Sequence, residues 1–140
     1  MSKTLIFTAT YNEKDNIKTL VEKLNNLNID IDILIIDDKS PDGTWKILEN
    51  LEKNLTNLKV IVRDGKSGLD TAHKLAFKYA KEKGYENFIS MDADLSHDPV
   101  EVPKILDKLE NNSFVIGSRY IKGGNCEMSG FRLILSVLGN

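Results

Sequence analysis

Several things are scarce in this sequence, and each scarcity excludes something. There is one cysteine, Cys126, so no internal disulfide can form; this fits a reducing compartment, with Cys126 read as a small loop residue. No apolar run approaches the ~20 residues a membrane-spanning helix needs. No basic stretch followed by a long apolar core precedes "TLIFTATYNE", so no signal peptide is expected. The net charge is only −2, which leaves no basic field for nucleic acid. No G-x-G-x-x-G follows the first apolar run, so the dinucleotide fingerprint is missing. "GKS" at 65–67 has the look of a P-loop's end, but the glycine required five positions before Gly65 is Val60. Low-complexity tracts, long linkers and internal repeats are absent as well.

What is present is an ordinary globular balance. The chain has 140 residues, 41% of them hydrophobic and 29% charged, which suits a single domain over 1–140 with a real core. Apolar runs alternate with helical stripes. "KTLIFTAT" and the β-branched "IDILIIDD" read as strands, as do "LKVIVR", "NFISM" and "SFVIGS". Between them, Ile17, Leu20, Val21, Leu24 and Leu27 mark a helix over about 13–27. Trp45, Ile47, Leu48, Leu51 and Leu55 mark a second, with Trp45 read as core. Leu69, Ala72, Ala76, Tyr79 and Ala80 mark a third, ended by Gly84. Asp98 and Pro99 read as N-cap and first residue of a fourth helix that buries Ile105, Leu106 and Leu109.

Five strands alternating with four helices predict an α/β fold: a mostly parallel, Rossmann-like sheet with helices on both faces and right-handed crossovers. Ligands of such sheets bind beyond the carboxyl ends of the strands. That rule selects "TYNE", "DDKSPDGT", "RDGKSGLDT", "DADLSH" and "GSRYIKGG", each of which follows a predicted strand.

Two of these loops are acidic. Asp92 and Asp94 stand two apart, so they share a face of a regular strand or lie together on the turn that leaves it. Either way two carboxylates come close, and one would be driven neutral unless a cation intervened. Oxygen ligands suit Mg²⁺ or Mn²⁺, and magnesium takes one or two carboxylates plus substrate phosphates. A metal-diphosphate clamp and a solvated acidic turn both remain open at this point. Asp37 and Asp38 project to opposite sides of the backbone. One can cap the following turn while the other accepts nucleobase N–H groups, or both can organise the turn. In the last loop, Arg119 can fork onto a phosphate and Lys122 adds a point charge.

Taken together, "ATYNEKDNI", "DDKSPDGT", "GKSGLDTAH", "MDADLSHDP" and "GSRYIKGG" with Arg132, Ser136 and Asn140 resemble the inverting glycosyltransferases of the GT-A fold. Within them the likeness is greatest to the polyprenyl-phosphate (dolichol-phosphate) mannosyltransferase family, from about residue 4 to the last. The resemblance implies that Ala9, Tyr11 and Glu13 line the nucleotide pocket and that Ile36 and Asp38 hold the base. It also implies that Asp92, Ala93, Asp94 and Ser96 hold the diphosphate and metal, with Arg119 on the phosphates. Lys122 and Arg132 are then candidates for the acceptor phosphate. Expected partners are a nucleotide sugar (GDP-mannose or UDP-glucose), Mg²⁺ or Mn²⁺, and a polyprenyl phosphate at the cytoplasmic face of a membrane.

The implied reaction is hexosyl transfer with inversion, with Asp94 and Arg119 nearest the chemistry. The alternatives are a sugar-nucleotide-binding module without turnover, or transfer to a non-lipid acceptor. A lipid phosphate is largely ionised at pH 7, its second pKa being about 6, so no strong base is required; His97 reads as a turn or supporting residue and His73 as surface. Departures from the family pattern are Ala9 for proline, Lys39 and Asp70 for glycines, and a loop "GGNCEMSGF" without tryptophan. The chain is also expected to stop before the family's C-terminal part. The apolar "FRLILSVLGN" at its end is expected at a membrane interface, against further residues, or in dimer contacts.

Overall fold

The structure, a computed structural model, describes residues 3–117. Four strands form one sheet: β1 (Thr4–Thr10), β2 (Ile31–Asp37), β3 (Leu58–Val62) and β4 (Asn87–Ser90). All pairings are parallel, in the order β3-β2-β1-β4. The helices are α1 (Ile17–Asn25), α2 (Thr44–Glu52), α3 (Leu69–Glu82) and α4 (Val102–Leu109), the last preceded by a 3₁₀ turn, Pro99–Glu101.

Strand alternation splits the core in two. Ile6, Ile33 and Ile35 point to one face, where Ile17, Leu20, Val21 and Leu24 of α1, Leu48 of α2 and Val102 of α4 cover them. Leu5, Phe7, Leu34 and Ile36 point to the other, against Ala72, Ala76 and Ala80 of α3. The small alanines let α3 lie close to the sheet. A sheet covered on both faces explains why β1 and β2 read as near-continuous apolar runs.

β1 lies between β2 and β4, and threonines along it tie the neighbours together. Thr8 Oγ1 donates to the Met91 carbonyl at 3.1 Å, and Thr10 Oγ1 donates to Asp37 Oδ2 at 2.7 Å. After β3 the chain crosses back over β1 to lay down β4. The crevice between the carboxyl ends of β1 and β4 is therefore the switch point at which such sheets hold ligands.

Helix ends follow their predicted chemistry. The Asp98 carboxylate accepts from Val100 N at 3.2 Å. Gly84 takes φ 72 just beyond α3, while Tyr85 N reaches back to the Ala80 carbonyl at 3.0 Å.

Four expectations are corrected. The fifth strand does not form in its described part: residues 113–117 join no ladder, and Phe114 and Ile116 are 77% and 73% exposed. An apolar strand persists in a parallel sheet only where its sides are covered, and nothing among the described residues covers these two. α1 begins at Ile17 rather than near 13, because residues 13–16 form a turn in which the Glu13 carbonyl accepts both Asn16 N and Ile17 N. Trp45 is half-buried outside both core clusters, with the Lys46 ammonium 5.3 Å from its ring centre. Leu69 is exposed, since it opens α3 at the rim of the crevice.

Candidate functional site

The β1–α1 and β2–α2 loops are built as one unit, and Asp37 is its centre. Asp37 is fully buried and accepts Thr10 Oγ1 at 2.7 Å, Ser40 N at 2.9 Å and Ser40 Oγ at 2.6 Å. Ser40 Oγ in turn accepts Asn12 N at 2.9 Å, Thr44 Oγ1 accepts Glu13 N at 3.0 Å, and Asp42 accepts Lys14 N at 3.0 Å. Burial pushes the Asp42 carboxyl up, but hydrogen bonds from Thr44 and Lys14 outweigh it and hold the carboxyl below its usual range. Asn12 and Lys39 adopt left-handed backbone, φ 59 and 49, to make this corner.

Asp38 turns the other way. Its Oδ1 accepts Arg63 Nε, and its Oδ2 accepts Ser67 N at 2.9 Å. It lines a hollow of about 160 Å³ with Ala9, Thr10, Tyr11, Ile36, Arg63, Lys66 and Gly68. The Lys66 ammonium lies 4.8 Å over the Tyr11 ring. Ala9, Tyr11, Ile36 and Asp38, distant in sequence, thus meet in one cavity. Glu13 does not line it; its carboxylate accepts Asn16 Nδ2 at 3.0 Å.

The acidic pair begins where β4 leaves the ladder. Met91 N still bonds the Phe7 carbonyl at 3.0 Å, and Asp92 is the first residue off it. Ala93 is buried and the flanking Asp92 and Asp94 are exposed. The bend is held from both ends. His97 Nδ1 accepts Asp92 N at 3.0 Å, which puts the neutral ring's proton on Nε2, 3.6 Å from Asp92 Oδ2. Asp94 Oδ1 accepts Ser96 N at 3.0 Å, an Asx turn that forces Leu95 to φ 63. Hydrogen bonds from the Ser96 hydroxyl and N–H hold the Asp94 carboxyl below its usual range, against partial burial.

Among the described residues, no group of three or more His, Cys, Asp or Glu side chains forms a metal cage. Two exposed carboxylates beside a hydroxyl do fit a hard, partly hydrated cation that draws its other ligands from a bound phosphate.

His73 is half-buried rather than a surface residue. Its Nδ1 lies 2.9 Å from the Leu69 carbonyl and its Nε2 3.0 Å from Ser90 Oγ, and its ring packs edge-on to Phe7 at 4.9 Å. Sequence reasoning passed over Arg63 and Lys66, although both belong to a loop it had selected. The signal it did not use was an arginine on the carboxyl end of an apolar strand. Arg119, Lys122, Cys126, Arg132, Ser136 and Asn140 lie outside the described residues.

Residues 5–129 match the profile of Glycosyl transferase family 2. The chain belongs to this family. It is 35% identical over 99% of its length to the polyprenol monophosphomannose synthase of Mycolicibacterium smegmatis, covering 53% of that protein. It is 38% identical over 89% of its length to the dolichol-phosphate mannosyltransferase of Pyrococcus furiosus, covering 35% of that one. The chain therefore spans between about a third and a half of these relatives. Among solved structures, the mannosyltransferase PcManGT from Pyrobaculum calidifontis, in complex with GDP-Man and Mn²⁺, superposes with a TM-score of 0.60 at 19% identity, over 66% of this chain and 28% of that one. Residues 1–349 of S. aureus TarS in complex with UDP give 0.60 at 21% identity, over 86% of this chain and 40% of that one. These likenesses show the fold, the GT-A type of α/β sheet expected from the sequence.

Set in that family, the departures sort by backbone. Lys39 stands where the family motif usually has glycine, and it pays in a left-handed φ of 49. Asp70 also replaces a glycine, but it lies in the first turn of α3, where helical φ is open to any residue and a carboxylate suits the helix N-terminus.

Proposed function

We propose that this chain holds a nucleoside diphosphate sugar and serves hexosyl transfer, with inversion, to a polyprenyl phosphate, as a polyprenyl-phosphate mannosyltransferase does. One observation carries the reading. A base-sized hollow ending at Asp38 and a pair of exposed carboxylates, Asp92 and Asp94, flank the same central strand at its carboxyl end. A base at one side and a diphosphate at the other would bridge them.

In this reading Tyr11, Ala9 and Ile36 enclose the base, and Asp38 accepts its N–H groups. Each Asp38 oxygen already receives one protein hydrogen bond, which leaves one acceptor position on each. Two adjacent positions suit the neighbouring N1–H and N2–H donors of guanine better than the single N3–H of uracil, so GDP-mannose is the preferred donor. Asp92 and Asp94 would hold Mg²⁺ or Mn²⁺, with Ser96 fixing Asp94 and Ala93 letting the backbone approach. When bound, the metal supplies positive charge against the departing diphosphate. Arg119 shares that load, and Lys122 and Arg132 receive the acceptor phosphate. His97 is occupied with Asp92 N, which supports a mechanism in which the ionised acceptor attacks without a protein base. No helix among the described residues is long and apolar enough to cross a membrane.

A second reading is a module that binds the sugar nucleotide without turnover. Calorimetry with GDP-mannose and UDP-glucose, with and without Mn²⁺, tests the donor site. Metal-dependent binding that survives Asp94→Ala unchanged would sink the reading. Adding a polyprenyl phosphate and looking for glycolipid separates the enzyme from the module.

A further inference from the structure

We propose that Arg63 is a positioning residue for nucleobase recognition: it locks the Asp38 carboxylate and the 65–71 loop into one rigid wall of the hollow. This rests on the nucleotide reading above and goes beyond it, because no role falls on Arg63 there.

Arg63 directly follows β3, and its N–H donates to the Asp37 carbonyl at 2.8 Å, extending the ladder with β2. That pins its backbone beside both aspartates. Its side chain is only 15% exposed and that of Asp38 only 9%. Three separate guanidinium nitrogens are engaged: Nε with Asp38 Oδ1, Nη1 with Thr71 Oγ1 at 2.7 Å, and Nη2 with the Gly68 carbonyl at 3.1 Å. Asp38 is closed from its other side by Ser67 N. Thr71 Oγ1 also lies within bonding distance of the Ser67 and Gly68 carbonyls, at 2.7 and 2.8 Å. One planar cation therefore determines where the Asp38 oxygens sit and where the loop carrying Lys66 runs.

A structural ion pair alone would need only the Nε contact. The two Nη bonds tie the pair to the loop that forms the cavity wall, and this makes the arrangement specific to the hollow. Lysine cannot substitute: its ammonium is a point charge without the planar fork that meets three acceptors in fixed directions. All three side-chain bonds of Arg63 go to Asp38 and the loop, so its effect on the base runs through Asp38 and should appear as a loss of discrimination between bases.

The test is calorimetric titration of GDP and UDP, with Mn²⁺, into wild type, Arg63→Lys, Thr71→Val and Asp38→Asn, each checked by thermal melting. The expected result is that Arg63→Lys moves the ratio of GDP to UDP affinity toward one by about tenfold, roughly the worth of one charge-assisted hydrogen bond. The Kd of the weaker ligand stays within about threefold, because the diphosphate contacts remain. Thr71→Val shifts the ratio in the same direction by less, and Arg63→Lys adds nothing on top of Asp38→Asn. An equal loss for both nucleotides, or an unchanged ratio, overturns the proposal. A wild type that binds both equally also overturns it, since Asp38 would then read no base. If Arg63→Lys does not fold, the ratio in Thr71→Val decides by the same criterion. A wild type that binds neither nucleotide refutes the nucleotide reading itself, which is a separate outcome.

Discussion

Replacing Asp37 by asparagine should unfasten the two loops that frame the hollow, and the size of the effect follows from the bonds involved. The carboxylate is fully buried and accepts three hydrogen bonds, two of them on Oδ2 from the hydroxyls of Thr10 and Ser40. An amide keeps one acceptor oxygen for Ser40 N and puts a donor where both hydroxyls now donate. Hydrogen bonds to a charged group contribute about 1.5–3 kcal/mol each. The hydroxyls can turn to accept from the new amide, and this recovers part of the loss. We expect a net destabilisation of about 3 kcal/mol, a large share of the roughly 5–15 kcal/mol of a typical domain. With a urea m-value of about 2 kcal/mol/M, the unfolding midpoint falls by about 1.5 M. Urea titration followed by Trp45 fluorescence reads this directly. Asp38→Asn is the control: it should lower nucleotide affinity more than stability. A midpoint shift below about 0.5 M for Asp37→Asn would mean that the corner does not depend on the buried charge. The division of labour between the adjacent aspartates would then be wrong.

Lys39→Gly should stabilise the protein by about 0.5–1 kcal/mol in the same titration, because Lys39 is exposed and its left-handed φ penalises any residue with a Cβ. Gly68→Ala should destabilise by about 1–3 kcal/mol and weaken nucleotide binding, since Gly68 has φ 92 and a Cβ there would lie 2.9 Å from Asp70 Oδ1. His97→Ala should weaken Mn²⁺-dependent nucleotide binding several-fold at unchanged melting temperature, as the Asp92 turn loses its acceptor. Asp42, Glu52 and Asp94 all have carboxyls held below their ordinary values of 3.8, 4.5 and 3.8. Their stabilisation is present above those values and is lost as pH falls through the lower folded ones. Melting temperature should therefore hold from neutral pH to about 5 and decline below about 4, and Asp42→Asn should flatten the decline.

How much of this was legible in the sequence depended on range. Features set by near neighbours in the sequence were readable: the Asp98 cap, the Gly84 helix end, the continuous apolar runs of β1 and β2. The site was readable as a set of loops, because a parallel sheet sends its polar turns to one end. Partnerships that exist only after folding were not readable. Arg63 finds Asp38 across 25 positions, and His73 meets Ser90 across 17; no local pattern announces either. The division between Asp37 and Asp38 was left open for the same reason, since only the fold shows that Thr10 and Ser40 claim the first. The fifth strand failed differently. The apolar pattern of "SFVIGS" is strand-like, but a strand also needs a neighbour and cover, and Phe114 and Ile116 find neither among the described residues.

The placement of β1 between β2 and β4 also makes the sheet a gauge. Asp38 follows one neighbour and Asp92 the other, so the strands that carry them stand two spacings apart, about 9–10 Å. Backbone ladders set that strand-to-strand interval. Substitutions in the loops can change which base is read or which cation is preferred, but they leave the spacing of the strands beneath the two stations unchanged. A ligand too short to reach from one to the other would be held at one end only, with its far end left in water.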